Sequence, residues 1–545
     1  MKTKLIIFFA ILFQVNLFCQ KTEKDLKSNK PKLVVGIVID QMRWDYLYRY
    51  ESKYSSNGFK RLLAQGYSCE NTQIPYVPTY TAPGHTCVYT GSVPAYHGII
   101  SNNWFDKTIE KSIYCTDDAR YSTVGDTSNA GKMSPVNMLT TTICDELKLA
   151  TNFRSKSIGI AIKDRGAILP AGHSADAAYW YSGASGNWIT STYYRNELPT
   201  WVKDANKQFA KNAKLNDTWK TILELEKYHE STEDNVVWES PYKNEDKPVF
   251  EHNVKSLLEK NSDVIKALPY GNKMTFDFAK NAILGESLGK DDFTDFLTVS
   301  LSSTDYIGHQ FGTNSIEIED TYLQLDRELA LFTNYLDANI GKGAYLMFLT
   351  ADHGAAHNAT FLNTKKIPSG NLINDTFNKK VRDYIIQEFK DSTILYGIAN
   401  QQIYLNHKAV NEDKEKLSEI KNKVKNFIMK QQGIMNVVDL ENLNNTTLQD
   451  YLKSLIENGY NPQRSGDLYF VMNPAWMEDF TKGTTHGTSF KYDTHIPLLW
   501  YGWNVKPGKD YSLVSMTDIA ATIASLLHIQ EPNGCIGKPI IGLMK

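Results

Sequence analysis

Residues 33 to 39 are Leu-Val-Val-Gly-Ile-Val-Ile, and they lead directly into Asp40. Their hydrophobicity is continuous rather than alternating, which is typical of a strand buried on both faces in a parallel sheet covered by helices. Three further apolar runs end in polar residues: 157–162 before Lys163, 296–301 before Asp305, and 345–349 before Asp352. Because ligands bind beyond the carboxyl ends of such strands, we expect these polar side chains to meet at one sheet edge.

Helical periodicity alternates with these strands. Apolar residues recur every three or four positions over residues 316–336 and again over 518–527. The alternation predicts an α/β fold with a mostly parallel central sheet flanked by helices. We expect one large catalytic domain over residues 33–545, rather than the three or four domains that a length of 545 residues first suggests.

Two intervals interrupt the strand and helix alternation. Residues 179–286 are rich in Trp, Tyr, Asn and Lys and lack an obvious strand run, and residues 360–473 are highly charged and partly helical. Both are expected to be insertions or cap elements over the edge of the sheet.

Composition and net charge limit which kinds of binding partner are expected. The chain is 42% hydrophobic and 22% charged, which is ordinary for a globular protein, and its net charge is −2. A balanced charge argues against a nucleic acid polymer as partner, while a small anionic ligand remains compatible with it.

The first residues predict export. Residues 1–20 combine a basic start with a short apolar stretch and are interpreted as a signal peptide, followed by a flexible leader over 21–32. Lipidation of Cys19 is the alternative, disfavoured by the bulky Phe18. Nothing else is long and apolar enough for a stable membrane span, so we expect a periplasmic or secreted protein.

Five cysteines remain after removal of such a signal peptide, and none forms a Cys-x-x-Cys pair. Because export permits disulfides, the pattern favours buried thiols together with one or two bridges.

Acids and histidines cluster at the predicted strand ends. Asp305 and His309 are one helical turn apart, Asp352 and His353 are adjacent, and His486 is followed by a glycine. Each residue alone fits a cap or a surface position. Together with Asp40 they provide the carboxylate and imidazole ligands of a zinc site that is open to substrate.

Thr81 precedes Ala82 and Pro83, a pattern that favours a helix N-terminus with Thr81 as its N-cap. A plain cap is one interpretation of this threonine. The other is a nucleophile, since a helix N-terminus attracts phosphate and a metal ion activates a hydroxyl. Thr79 is the competing candidate for that role.

Lys163 and Arg165 follow a buried strand two residues apart. On an extended segment they would point the same way and could bind one anion, although such a pair is more often solvated surface. Asn102 could donate an amide N–H to the same anion, with Asn103 as the alternative and a simple turn as the structural interpretation.

Taken together, these motifs resemble the alkaline phosphatase superfamily of two-zinc hydrolases. The resemblance covers nearly the whole mature chain and is carried by residues 35–40, 78–85, 305–309, 350–354, 485–487 and 517–520. It implies one Zn²⁺ held by Asp40, Thr81, Asp352 and His353, and a second held by Asp305, His309 and His486.

Within the superfamily, the threonine and the Asp-x-x-x-His motif are similar to nucleotide pyrophosphatases/phosphodiesterases and to the phosphate-irrepressible (PafA-type) alkaline phosphatases. Lys163, Arg165 and Asn102 match the phosphoryl-binding residues of the second group. A sulfatase would need Cys or Ser in place of Thr81, and the related phosphoglycerate mutases use serine.

The resemblance implies hydrolysis of small phosphate monoesters through a phosphothreonine on Thr81, with a Zn²⁺ pair as cofactor. Two cations and an amide suit a monoester dianion, whereas a diester carries one charge and a second substituent. A phosphodiesterase or nucleotide pyrophosphatase is the alternative enzyme, and an exported metal-dependent binding protein is the alternative without catalysis. We expect a monomer, with an oligomer as the alternative.

Overall fold

A computed structural model of the protein describes residues 30–212 and 218–544. The predicted signal peptide and residues 21–29 of the predicted leader lie outside the described residues.

The strands are β1 (Leu33–Ile39), β2 (Tyr67–Gln73), β3 (Asn103–Asp106), β4 (Lys111–Tyr114), β5 (Thr123–Val124), β6 (Ser157–Ala161), β7 (Ala177–Ser182), β8 (Asn187–Ser191), β9 (Asp295–Leu301), β10 (Tyr345–Thr350), β11 (Gly370–Leu372), β12 (Leu395–Ala399), β13 (Gln402–Leu405), β14 (Ile434–Asp439), β15 (Leu468–Met472), β16 (Trp476–Glu478), β17 (His495–Ile496), β18 (Leu498–Gly502) and β19 (Gly508–Ser515).

The α-helices are α1 (Tyr46–Arg49), α2 (Phe59–Gln65), α3 (Thr81–Thr90), α4 (Pro94–His97), α5 (Ile143–Ala150), α6 (Asp164–Ala171), α7 (Thr200–Asn212), α8 (Val254–Lys260), α9 (Pro269–Gly285), α10 (Ser303–Phe311), α11 (Ile316–Leu336), α12 (Ala359–Thr364), α13 (Asn374–Phe389), α14 (Lys414–Ile428), α15 (Asp450–Gly459), α16 (Lys491–Thr494) and α17 (Asp518–Leu527).

The central sheet has the strand order β17-β2-β18-β10-β1-β9-β6-β7-β8-β5, with β19 also paired to β2. Strands β10, β1, β9, β6 and β7 are parallel, and antiparallel strands extend the sheet on both sides. Every residue of β1 is buried, as its continuous hydrophobicity predicts. The predicted α/β fold with a mostly parallel sheet is confirmed.

Strand register brings the polar ends of these strands together. Val38 of β1 pairs with Thr350 of β10 and with Ser300 of β9, and Ser300 also pairs with Ala161 of β6. The residues that follow each strand therefore leave the sheet at the same edge, which is where Asp40 and the other polar groups lie.

The interval 179–286 departs from the expectation that it lacks strands. Residues of β7 and β8 fall within it and belong to the central sheet, pairing as Trp180 with Ile189. Strand β7 is rich in aromatic residues and wholly buried, and aromatic side chains fit a buried pleated surface. A composition rich in Trp and Tyr was therefore a strand signal here.

The second interval builds its own antiparallel sheet, β12-β13-β15-β14. Helices α13 and α14 cover it through a separate apolar cluster that includes Val381, Val424 and Phe470. We call residues 370–478 the cap. The cap is tied to the central domain at the end of helix α4, where Arg464 donates to the carbonyl of Gly98.

Helices α11 and α17 have the bounds that the periodicity predicts. Ser315 accepts a hydrogen bond from the N–H of Ile318 and so caps α11. No helix within residues 30–212 and 218–544 combines the length and the apolar character that crossing a membrane requires.

All five cysteines in the described ranges are free thiols, so the expectation of one or two disulfides is wrong for this part of the chain: Cys69, Cys87, Cys115, Cys144 and Cys535. The first four are buried, and burial in apolar surroundings raises the pKa of each thiol, which disfavours the thiolate needed for disulfide exchange.

Candidate active site

Adjacent strands β1 and β10 supply the first group of candidate ligands. Asp40 follows β1, and Asp352 and His353 follow β10. The Nε2 atom of His353 lies 3.5 Å from Oδ1 of Asp40 and 3.5 Å from Oδ2 of Asp352, and all three side chains are fully buried. These three residues form a group that is close enough to share one metal ion.

The second group combines helix α10 with the loop after the cap. Asp305 and His309 lie one turn apart on α10, with 3.0 Å between Oδ1 and Nε2, as the sequence spacing predicts. His486 Nε2 lies 3.7 Å from the same Asp305 oxygen. The imidazole rings of His486 and His353 stack with their centroids 3.5 Å apart, so the two groups adjoin.

Main-chain carbonyls orient all three histidines in the same way. Nδ1 of His309 donates to the carbonyl of residue 484 at 2.8 Å, that of His353 to residue 354 at 3.0 Å, and that of His486 to residue 79 at 2.7 Å. A carbonyl only accepts, so Nδ1 carries the proton and the Nε2 lone pair remains available to a metal. Burial lowers the pKa values of His353 and His486, which favours this neutral form.

The carboxylates repel one another in this buried space. Burial raises the pKa of Asp40, and the charges of Asp305 and Asp352 raise it further. Burial also opposes ionisation of Asp305, but His309 and Lys163 outweigh it and lower the pKa of that carboxyl. Such a cluster of negative charges is stabilised by nearby positive charge.

Lys163 provides part of that positive charge. Its Nζ lies 2.6 Å from Oδ2 of Asp40 and 2.5 Å from Oδ2 of Asp305, so it joins the two candidate ligand groups. Burial lowers the pKa of Lys163, but the two carboxylates outweigh this and raise it, which keeps the ammonium charged. The side chain also lies over the ring of Tyr306.

Arg165 does not share an extended segment with Lys163, contrary to the expectation. Lys163 is the extended N-cap residue of helix α6, and Asp164 and Arg165 are the first two residues inside the helix. The Arg165 Nη1 donates to the hydroxyl of Tyr114 at 3.0 Å, and its buried Nε donates no hydrogen bond to any described residue. Lys163 therefore contacts the two carboxylates, whereas Arg165 contacts Tyr114.

Thr81 is the first residue of helix α3, and Tyr80 rather than Thr81 is the N-cap. The expected cap role of Thr81 is therefore wrong, because Tyr80 is the last extended residue before the helix and no side-chain cap hydrogen bond forms. The Thr81 hydroxyl lies 3.5 Å from Nε2 of His353. It thus lies beside the first ligand group at the positive end of a ten-residue helix.

Thr79, the competing candidate, has a structural contact instead. Its hydroxyl donates to the carbonyl of Thr488 and accepts from the N–H of Gly487, both at 3.1 Å. These bonds hold the loop that carries His486.

Asn102 is joined to the start of the same helix. Its Oδ1 accepts a hydrogen bond from the N–H of Ala82 at 2.9 Å, which leaves its amide N–H₂ to donate elsewhere. Asn103, the alternative, has an exposed side chain in β3. Thr81, Asn102, Lys163 and the two ligand groups thus meet at one edge of the sheet, with Arg165 beside them.

Sequence reasoning gave no role to His85 and Gln41. His85 contacts the carbonyl of Thr81 at 2.9 Å and Asp352 Oδ2 at 3.3 Å through Nδ1, and the Ser300 hydroxyl at 2.8 Å through Nε2. Its spacing of one turn from Thr81 was the available signal. Gln41 donates through its backbone N–H to Asp352 and through Nε2 to Asp305, a contact that only the folded sheet creates.

Comparison with known proteins gives a consistent family. Residues 34–496 match the sequence profile described as type I phosphodiesterase / nucleotide pyrophosphatase. Alkaline phosphatase PhoV of Synechococcus elongatus is 49% identical over 553 residues, covering the full length of both chains. A protein of Myroides odoratus named calcium-transporting ATPase is 49% identical over 519 residues, covering 94% of this chain and 95% of that protein.

A third relative is alkaline phosphatase PafA of Elizabethkingia meningoseptica, which is 46% identical over 514 residues and 94% of each chain. The crystal structure of wild-type PafA superimposes with a TM-score of 0.93, covering 95% of this chain and 99% of the other.

Proposed function

Because the chain belongs to the type I phosphodiesterase / nucleotide pyrophosphatase family, as the resemblance in its motifs predicted, we propose that it is an alkaline phosphatase. It hydrolyses phosphate monoesters at a two-metal site, through a covalent phosphothreonine on Thr81. The observation that carries this proposal is the buried ammonium of Lys163, which lies against Asp40 and Asp305 and so marks a cationic position between the two ligand groups.

The residues fit a pair of zinc ions. Asp40 Oδ1 is buried and accepts no hydrogen bond from the described residues, and three histidines present Nε2 with Nδ1 already engaged. By the resemblance of the motifs, Asp40, Thr81, Asp352 and His353 would hold one ion, and Asp305, His309 and His486 the other. The ligand atoms of Asp40, Asp352 and His353 are close enough to share an ion, as are those of Asp305, His353 and His486. Bound zinc would supply Lewis-acid charge that eases ionisation of a hydroxyl and stabilises a departing oxygen. Related divalent ions accept similar ligands, so zinc is part of the proposal.

Thr81 is the proposed nucleophile. Its Oγ forms a bond to phosphorus as the bond from phosphorus to the leaving oxygen breaks, and water then displaces the threonine to release phosphate. The hydroxyl proton has to leave before attack, so the rate is expected to rise toward alkaline pH. The position at the start of α3 favours this role, because free N–H groups of the first turn attract a phosphoryl group.

Asn102, Lys163 and Arg165 are the proposed phosphate-binding residues. Arg165 Nε is buried and donates to none of the described residues, and Asn102 keeps its amide N–H₂ as a donor because its oxygen accepts from the N–H of Ala82. Two cations and an amide donor match the two charges of a monoester better than the single charge of a diester.

A phosphodiesterase is the second candidate, and the description of the matching family profile favours it. The two relatives named alkaline phosphatases favour the first. The decisive measurement is kcat/KM for an aryl phosphate and for its methyl diester on zinc-loaded protein. We expect the monoester to be preferred. A diester preference would establish the second candidate, and a metal-loaded protein without turnover on either ester would indicate a binding protein.

Thr81→Ala tests the nucleophile. We expect kcat/KM for the aryl phosphate to fall by about 10³-fold or more, since the covalent step is removed. Thr86→Ala is the matched control, because the Thr86 hydroxyl lies on the same helix and donates to the carbonyl of Ala82. Near-normal turnover by the Thr81 variant with full metal occupancy would refute the assignment.

The wider proposal includes cell location and assembly. The protein is exported to the periplasm or secreted after loss of residues 1–20, acts as a monomer on small-molecule substrates, and consists of one catalytic domain over 33–545 with the cap as an insertion. The sequence of the first twenty residues supports export, and the balanced net charge of −2 supports a small-molecule substrate rather than a polyanion.

A further inference from the structure

A tight turn of the cap reaches the candidate active site. Strands β12 and β13 are joined by Asn400 and Gln401, whose φ angles are 55° and 62°. Positive φ at both central residues is typical of a type I′ hairpin turn, where glycine usually takes the second position. Gln401 adopts this left-handed conformation without being glycine, which costs conformational energy that other contacts have to offset.

The side chain of Gln401 supplies those contacts. Its Nε2 donates to Glu478 at 3.2 Å and to the carbonyl of Gly487 at 3.3 Å, and its Oε1 accepts from the hydroxyl of Tyr469 at 2.8 Å. Gln401 is almost fully buried. The turn is thereby fixed both to the sheet of the cap and to the loop that carries His486.

Asn400 uses this fixed position to hold the residues on either side of Asn102. Its Nδ2 donates to the carbonyl of Asn103 at 2.7 Å, and its Oδ1 accepts from the hydroxyl of Ser101 at 2.8 Å. The side chain of Asn102 is held by helix α3, because its Oδ1 accepts a hydrogen bond from the N–H of Ala82. The amide of Asn102 is therefore held between the cap and the nucleophile helix.

We propose that Asn400 is a positioning residue that orients Asn102 toward the phosphoryl group. It does not touch substrate and acts through its bonds to residues 101 and 103. The inference rests on the proposed function, in which Asn102 donates to a phosphoryl oxygen.

Asn400→Gly tests the proposal, because glycine accepts the left-handed backbone and removes only the side chain. We expect kcat/KM for an aryl phosphate to fall about 3- to 10-fold, with a similar rise in the inhibition constant of inorganic phosphate, as for loss of one well-placed hydrogen bond. In an Asn102→Ala background the same change is expected to have less than a 2-fold effect, because the group being oriented is gone.

Asn411→Gly is the matched control, since Asn411 lies in the cap with a φ of 53° and an exposed side chain. It is expected to leave kcat/KM unchanged. Ser101→Ala removes the same bridge from the other side, and its effect is expected to overlap with that of Asn400→Gly rather than multiply it.

A loss in Asn400→Gly that persists in full in the Asn102→Ala background would overturn the proposal, as would a change of less than 2-fold in wild-type background. If Asn102→Ala alone leaves monoester turnover and phosphate inhibition intact, the phosphate-binding role of Asn102 fails and the positioning inference falls with it. If Asn102→Ala impairs monoester turnover and phosphate inhibition but Asn400→Gly changes neither, the positioning role of Asn400 is overturned and the proposed function stands.

Discussion

Lys163 Nζ lies 2.6 Å from Oδ2 of Asp40, which sets a buried ammonium against a carboxylate proposed to bind a metal ion. Because an ammonium and a divalent ion compete for the same oxygens, Lys163→Met is expected to raise the zinc affinity of chelator-treated protein by about tenfold. In excess chelator the same variant should also lose about 3–5 kcal/mol of unfolding free energy, because removal of the Lys163 ammonium leaves buried carboxylates unpaired. Competition with a fluorescent chelator and denaturant unfolding measure the two effects.

Lys148→Met provides the control for this experiment. Lys148 is also buried and pairs with Asp176 at 2.6 Å, but it contacts neither ligand group. It should lower stability without changing zinc affinity. If Lys163→Met binds zinc more weakly than wild type, the ammonium and the metal ion do not compete for these oxygens.

Tyr114 is expected to hold Arg165 in place for substrate. Its hydroxyl accepts from Arg165 at 3.0 Å and donates to Asp164 at 2.8 Å. Tyr114→Phe should raise KM for an aryl phosphate about 3- to 10-fold with little change in kcat, because the guanidinium loses one anchor before substrate binds. Steady-state kinetics with the concentration of the aryl phosphate varied provide KM and kcat.

Tyr396→Phe serves as the comparison for Tyr114, since it also removes a hydroxyl bonded to a charged side chain, that of Glu110, but outside the site. An equal change in KM for both variants would argue against a specific role of Tyr114.

His85 is expected to support catalysis without binding substrate. It bridges the Thr81 carbonyl, Asp352 and Ser300, so His85→Asn should loosen the nucleophile and a candidate ligand together. We expect kcat/KM to fall about 10- to 100-fold, as is common when an outer partner of a metal ligand is lost. Metal content by mass spectrometry distinguishes lost zinc from misplaced ligands.

His97→Asn is a suitable control because His97 is equally buried and accepts a hydrogen bond from the N–H of Ile99. The hypothesis fails if both histidine variants lose the same activity at equal thermal stability.

A second acidic cluster makes stability depend on pH. Burial raises the pKa of Glu239 to about 10, and the charge of Glu317 adds to the shift. Burial lowers the pKa of His252, but hydrogen bonds to Glu245 and Glu317 outweigh this and raise it to about 9. At any pH between the ordinary and the raised pKa of each group, that group binds more protons in the folded than in the unfolded chain.

Stability is therefore expected to fall as pH rises. The contribution of His252 is complete below about pH 6.5 and is lost as the pH rises through 9, while the cost of burying Glu239 grows from about pH 4.5 to 10. Glu239→Gln should reduce the drop in Tm between pH 7 and pH 9.5 by about 1 °C or more, measured by calorimetry. The exposed Glu226→Gln variant should follow wild type, and an unchanged slope in Glu239→Gln would refute the prediction.

Much of the fold was predictable because buried parallel strands have a strong local signal. The run 33–39 is apolar without alternation, and the polar residues after each such run had to meet at one edge once the strands were parallel. Helix α11 was equally predictable, because its apolar stripe continues over six turns.

The directions of side chains were not predictable from spacing. Lys163 and Arg165 are two residues apart in sequence, and this spacing alone did not show that helix α6 begins between them, at Asp164. Asn400 contacts residues 101 and 103, which are far from it in the sequence, so no local sequence pattern predicts these hydrogen bonds. The strand β7 was missed because its aromatic residues resemble those of surface insertions.

The two candidate ligand groups differ in when they can be completed during biosynthesis. The first comes wholly from the ends of β1 and β10, so its members have all been made by residue 353. The second waits for His486, which is synthesised only after the whole cap. In order of synthesis the first group is therefore complete before the cap, and the cap sequence separates it from the residue that completes the second group.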